Sequence, residues 1–205
     1  MHAAARKPDN LEQEILDLLP PDRKMTQAEY IRLSCQVEAW QRIEWVRGRI
    51  ELLPYHTVLL HRVITGLFLS FYEFIKGKKL GQVFPKGVRT KVNRTTIRMP
   101  DIIFGKRGRR CTDYFYVGAD LVMEVVDKGI ESRKRDLEEK RQDYCEAGIP
   151  EYWIVDPERK QISVLALSGK KYKVHGEYKK GQRAVSVLLK GFEVDVTEAL
   201  AGLKH

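Results

Sequence analysis

Apolar positions along the chain follow first a helical period and then a strand period. In residues 10–19, Leu11, Ile15, Leu18 and Leu19 fall at i, i+4, i+7 and i+8. This predicts a short amphipathic helix, capped by Asn10 and stopped by Pro20-Pro21. Thr26 with Glu29 three residues on is a capping box and opens a second short helix. Apolar runs on either side of Arg47-Gly48 predict a β-hairpin within 44–54. Residues 58–75 predict a longer helix, with Leu60, Ile64, Leu67, Phe68, Phe71 and Ile75 on one stripe; Gly77 and Lys78-Lys79 suit its end.

From Gly81 the period shortens to that of strands. Residues 83–92 and 95–104 read as two strands joined at Asn93-Arg94, and 106–110 as a basic loop. Residues 119–126 are almost continuously apolar, as in a strand buried on both faces. A helix over 132–147 ends at Gly148 and Pro150, and a short strand follows over 152–155. Residues 162–166, 172–174 and 185–189 read as further, more exposed strands. The core order is therefore α, β, β, β, α, β. Short turns make neighbouring strands antiparallel, and the helical crossover permits a parallel pair. The expected class is α/β (α+β): a mixed sheet between helices, with an N-terminal hairpin and C-terminal β additions.

A length of 205 residues fits one compact domain with a short extension and buries enough core to need no disulfides or structural metal. Lys and Arg number 37 against 28 Asp and Glu, and the resulting +9 favours a polyanionic partner such as nucleic acid. The three cysteines, Cys35, Cys111 and Cys145, form no CxxC, and no HxxxH or HExxH pair occurs. The spacing argues against a Cys-based zinc site, excludes a zincin and favours a reducing compartment. No segment reaches the ~20 apolar residues of a membrane span, and the first ten residues lack the apolar core of a secretory signal. A cytoplasmic protein with no membrane partner is expected.

Three polar residues stand where apolar ones belong. Asp101 lies in Met-Pro-Asp-Ile-Ile-Phe and Glu124 in Leu-Val-Met-Glu-Val-Val, each inside an apolar strand run. A buried ionised carboxylate costs several kcal/mol unless paired, and two on neighbouring strands repel one another. A divalent cation with hard oxygen ligands removes both problems, and Mg²⁺ is often held by one or two carboxylates. Lys140 lies on the apolar seam of its helix with Leu137, Tyr144 and Ala147, aimed at the sheet that carries Glu124; Asp136 is four residues before it. Taken singly, each acid also reads as the polar end of an edge strand, and Lys140 as a snorkelling or salt-bridged lysine. Glu124 and Lys140 also read as a buried ion pair.

The stretch around Asp101, the run Ala-Asp-Leu-Val-Met-Glu124-Val-Val, and Arg135-Asp136-Leu-Glu-Glu-Lys140 onward through Tyr144, Gly148, Glu151-Tyr152-Trp153 and Asp156-Pro157 resemble the Uma2 family. Met25-Thr26, Tyr30, Glu44-Trp-Val-Arg-Gly48-Arg-Ile-Glu51 and His61 resemble its N-terminal portion more loosely. The resemblance spans roughly residues 25–195. It divides the chain into a helical extension (1–24), one Uma2-like PD-(D/E)XK domain (25–197) and a tail (198–205). It implies a restriction-endonuclease-like αβββαβ core and Mg²⁺, or Mn²⁺, held by Asp101 and Glu124. The backbone carbonyl of Val125 or Val126 is a further ligand candidate, and Lys140 is the catalytic lysine. The superfamily's usual lysine position, two residues after the second acid, is Val126 here. Lys128, in Asp127-Lys128-Gly129, is a substitute candidate; His61 and Asp136 are possible auxiliaries.

The function implied is a Mg²⁺-dependent DNA endonuclease, with a homodimer suggested by family habit. Two alternatives stay open: a nucleic-acid-binding module that keeps the fold without catalysis, and a structural or interaction protein whose acids and lysine form a buried network. Basic residues Arg89, Lys91, Arg98, Lys106, Arg107, Arg109 and Arg110 are the expected nucleic-acid contacts, with Lys106–Arg110 best placed to reach a backbone. A solvated charged surface is the competing reading of the same residues. Tyr152-Trp153 reads as core packing.

Overall fold

The computed structural model describes residues 24–36 and 43–202. The helix expected over 10–19, with its Asn10 cap, lies outside the described residues, as do the last residues of the tail. Helix α1 (Gln27–Gln36) opens on the capping box: the Thr26 backbone N–H donates to Glu29 Oε2 at 2.7 Å, and Glu29 N–H to Thr26 Oγ1 at 3.3 Å. Strands β1 (Ile43–Val46) and β2 (Arg49–Leu52) form the hairpin around Arg47-Gly48. Both turn residues have positive φ, 51° and 84°, as a two-residue turn matched to strand twist requires.

Helix α2 (Val58–Ile75) follows, capped by Thr57, whose hydroxyl accepts from Leu60 N–H at 3.3 Å. It is long and apolar enough by length and composition to cross a membrane, which the sequence reading did not expect of any segment. Its Leu60, Val63, Ile64, Leu67, Phe71 and Ile75 are instead buried in the main hydrophobic core.

The expected long strands over 83–92 and 95–104 are each broken in two. β3 (Gly81–Pro85) pairs with β6 (Ile102–Lys106), whereas β4 (Thr90–Asn93) pairs with β5 (Thr96–Arg98) in a different sheet. The breaks fall at Gly87, whose φ is 115°, and at Pro100, which has no N–H for a ladder. One extended hairpin thus serves two sheets, and Asp101 sits on the kink between them. β7 (Tyr116–Val117) closes the smaller sheet, of order β2-β1-β5-β4-β7.

β8 (Leu121–Val125) is buried throughout and lies between β6 and β9 (Glu151–Asp156). The larger sheet runs β11-β10-β9-β8-β6-β3, with β10 (Gln161–Ser168) and β11 (Lys171–Lys179) at one side. Within this larger sheet β8 and β9 are parallel and the other pairs antiparallel. The crossover between β8 and β9 is helix α3 (Ile130–Lys134), a π-helical stretch Arg135–Glu139, and helix α4 (Lys140–Glu146). The observed core order, α2, β3, β6, β8, crossover helix, β9, is the αβββαβ order expected.

Period-two alternation in β8 decides which face carries chemistry. Leu121, Met123 and Val125 join the α2-side core with Phe71 and Phe104, while Val122 and Val126 join a second core with Tyr144 and Tyr152 under α4. Glu124 follows Val122 and Val126 onto the α4 face. Tyr152 and Trp153 are both fully buried, as core packing requires. The strand expected over 185–189 is shorter: β12 (Arg183–Val185) pairs with β13 (Glu193–Asp195), and helix α5 (Val196–Ala201) follows. Val187 and Leu188 leave the ladder because their backbone N–H groups donate to Glu151 Oε2 at 2.9 and 2.6 Å.

Candidate active site

Asp101 and Glu124 arrive from neighbouring antiparallel strands. The register pairs Ile102 with Met123, so the next step outward sets Asp101 beside Glu124. Both are almost wholly buried, at 3% and 1% exposure. Asp101 Oδ2 accepts the Val125 backbone N–H at 2.8 Å, which fixes the first carboxylate against the strand that carries the second.

Lys140 completes the group. Its Nζ lies 3.0 Å from Glu124 Oε2, 3.4 Å from Asp136 Oδ1 and 3.7 Å from Glu44 Oε1. The Tyr144 hydroxyl, one helical turn on, donates to Glu124 Oε1 at 2.5 Å. Burial favours the neutral amine, but Glu124, Glu44 and Asp136 together raise the lysine well above its ordinary value, so it is an ammonium. The acids around it thus favour its charged form.

Glu44, Lys86, His56 and Arg98 belong to the same cluster; the sequence reading assigned none of them a catalytic role and placed Arg98 among the nucleic-acid contacts. Burial would raise Glu44, yet Lys140, Arg98 and the Met99 N–H hold it at about 2. Arg98 is fully buried, with ion pairs at 2.8 Å to Glu44, 2.7 Å to Glu51 and 2.7 Å to Asp143. Lys86 Nζ lies 3.5 Å from Asp101 Oδ1 and 2.8 Å from His56 Nε2. Burial pushes His56 down to about 4, against the pull of Asp101, so the ring is neutral at ordinary pH. The one available sequence signal was Arg98 and Glu44 as charges inside apolar runs, the same signal that marked Asp101.

The two carboxylates sit in opposite electrostatic states. Burial raises Asp101, but Lys86, His56, Lys140 and the Val125 N–H outweigh it and bring it below the usual range. Glu124 is pushed up to about 8 by burial, with repulsion from Asp101 and Asp136 adding to it despite Lys140 and Tyr144. Burial raises Asp136 as well. The two acids that face one another thus differ in their hold on a proton, Asp101 weak and Glu124 strong.

A divalent cation fits this donor set. Among the described residues Asp101 Oδ1 has only long contacts, 3.5 Å to Lys86 Nζ and 3.7 Å to His56 Nδ1, and Glu124 Oε2 faces the Lys140 ammonium at 3.0 Å. Among the described residues no three His, Cys, Asp or Glu side chains form a metal-holding group. Two carboxylates with a backbone carbonyl and water suit Mg²⁺, which keeps much of its hydration.

The remaining sequence candidates separate clearly. Asp136 is in the cluster through Lys140. His61 is exposed, with its ring centroid 5.7 Å from that of His56. Lys128 is exposed beyond β8, its backbone N–H bonded to Asp127 Oδ1, and it forms no ion pair among the described residues. The Val126 N–H bonds to Val155 O at 2.8 Å. Two of the expected nucleic-acid contacts are corrected: Arg98 is consumed by its three carboxylates, and Arg89 is only 8% exposed and lies against the Tyr30 ring. Lys91 is half-buried and bonded to Gln27, and Arg109 is paired with Asp120. Lys106, Arg107 and Arg110 remain exposed.

Residues 27–197 match the family model of Uma2, described as "Putative restriction endonuclease". No curated protein matches the chain. Among solved structures, a "putative nuclease belonging to DUF820" from Anabaena variabilis ATCC 29413 shares the fold with a TM-score of 0.64. It is 12% identical, and the match covers 78% of this chain and 89% of that one.

Proposed function

The chain belongs to the Uma2 family, and from that premise we propose that it is a Mg²⁺-dependent endonuclease that hydrolyses DNA phosphodiester bonds. One observation carries the reading: two buried carboxylates on adjacent strands, with an ammonium 3.0 Å from one of them.

Asp101 and Glu124 would hold the ion, with the Val125 or Val126 carbonyl as a further oxygen donor. When bound, Mg²⁺ or Mn²⁺ supplies a more acidic water and polarises a phosphoryl oxygen. The Val125 N–H and Tyr144 hydroxyl hold the two carboxylates in place before substrate arrives. Lys140 is held charged by its three carboxylates, so its role is to orient the attacking water and to stabilise negative charge developing at phosphorus. Lys86, 20% exposed and beside Asp101, presents a second positive charge at the mouth of the site. The neutral His56 ring accepts from Lys86 and steers its ammonium.

Calorimetric titration with Mn²⁺ and Mg²⁺, followed by a cleavage assay on supercoiled and linear DNA, tests the proposal. Saturable binding in the wild type that is lost in both Asp101→Asn and Glu124→Gln, with cleavage lost in parallel, supports it. No metal binding with or without DNA overturns it.

A further inference from the structure

Lys79, Lys106 and Arg107 converge on a cavity of about 420 Å³, also lined by Gln82, Arg109 and Tyr116. It lies where β3 begins and β6 ends, at the opposite end of both strands from Asp101. We propose that this cavity is a phosphate-binding subsite that grips the backbone of the nucleic-acid substrate away from the cut; the inference rests on the nuclease reading above.

The charge in the cavity is unspent. Among the described residues no carboxylate lies within ion-pair distance of Lys79, Lys106 or Arg107, and all three are exposed. Their neighbour Arg109 is treated differently. Asp120 neutralises it, with Oδ2 accepting from Arg109 Nε at 3.1 Å and from the Lys106 backbone N–H at 2.7 Å. One acid therefore fixes the loop without quenching the cations that face the cavity.

The walls are preorganised. Arg107 N–H donates to Leu80 O and Arg109 N–H to Lys106 O, each at 3.0 Å, so the basic turn is tied to the start of β3. The Tyr116 hydroxyl donates to Gln82 Oε1 at 2.7 Å, which leaves the Gln82 amide hydrogens as oriented donors. Gly81 has no substitute here: a Cβ would meet Gly105 O at 2.1 Å and force β3 off β6. Three cations and a neutral donor in a fixed concavity suit a phosphate, whose oxygens only accept.

The spacing sets a footprint. Gly81 to Pro85 is four strand steps, or ~13 Å at the usual rise, and the next residue, Lys86, lies 3.5 Å from Asp101. For a duplex axis running along β3, at ~3.4 Å of rise per phosphate on one strand, the subsite would hold a phosphate about four nucleotides from the scissile one.

The test is fluorescence anisotropy of a labelled 30-base-pair duplex titrated with full-length protein over a range of KCl. No divalent metal is added, so binding is read apart from cleavage. Lys106→Gln/Arg107→Gln is compared with Lys173→Gln/Lys180→Gln, a control with the same charge change on the exposed far side of the sheet. The expected result is a drop of about 2 in the slope of log K against log salt and roughly tenfold weaker binding for the first pair only. An unchanged slope, an equal change in the control, or no binding by the wild type overturns the subsite.

Duplexes with and without a 5′-phosphate separate the two sources of this chemistry. Equal dependence on the pair in both supports a backbone grip; dependence only with the terminal phosphate overturns it in favour of end recognition. A pair-dependent slope in a protein that never cleaves keeps the subsite and removes only the catalytic reading.

Discussion

Lys140 Nζ lies 3.0 Å from Glu124 Oε2, and the lysine comes from the crossover helix rather than from Glu124's own strand. The position two residues after Glu124 is Val126, which is packed in the core beneath α4, where a lysine would be a buried charge. The helix supplies the same charge from the element packed over that face of the sheet. Lys140→Gln should therefore abolish cleavage, by about 10²–10³-fold for loss of one charge-stabilising group, while Mn²⁺ binding by calorimetry persists. Loss of metal binding in that variant would show Lys140 to be a structural counter-ion instead.

The lysine's helix position depends on the π-helical stretch Arg135–Glu139, which inserts an extra residue between α3 and α4. On one side Arg133 pairs with Asp156, and on the other Lys140 meets Glu124. The wide turn takes up that residue, so removing exposed Glu138 returns a regular α-helix with both flanks close to their present phase, whereas inserting one further residue there rotates the halves by about 100°. The insertion cannot keep both contacts. Circular dichroism should show helix content retained in it, with cleavage reduced at least as far as in Lys140→Gln. Full activity in the insertion variant would sever the π stretch from the site.

Arg98 is the hub of the buried network, joining Glu44 and Asp143 with no exposure of any of the three. Breaking such a pair from one side leaves an uncompensated charge and costs about 3–5 kcal/mol. Asp143→Ala should lower the unfolding free energy from denaturant titration by that order, although Asp143 contacts neither metal-ligand candidate. A surface-like effect below ~0.5 kcal/mol would contradict the network.

Glu44 ties this network to pH. Its carboxyl is held at about 2 instead of 4.5, so the folded state binds its proton less readily than the unfolded state. The stabilisation, on the order of 3 kcal/mol, is complete above pH 4.5 and is lost as pH falls through about 2. Thermal melts from pH 7 to 2 should show that loss in the wild type, and Glu44→Gln should flatten it. An identical acid limb in both proteins would assign the acid sensitivity elsewhere.

Local patterns determined much of this protein. The Thr26–Glu29 capping box, the Arg47-Gly48 turn, the stripe of α2 and the apolar run of β8 each depend on neighbours in the chain, and each was legible before any tertiary contact. Asp101, Glu124 and Lys140 were legible for a related reason: a charge inside an apolar period violates a local rule. Tertiary structure decided what local patterns do not encode. The two long strand predictions failed because a strand's period is the same whichever sheet receives it, and only the packing sent β4 and β5 to one sheet and β3 and β6 to another. Arg98 and Arg89 looked like surface charge because burial of a long side chain depends on acids distant in sequence, Glu44 and Asp143 among them for Arg98. Which basic residues face a ligand, and which are consumed by the fold, is settled by long-range pairing, as Arg98 against Lys106 and Arg107 illustrates.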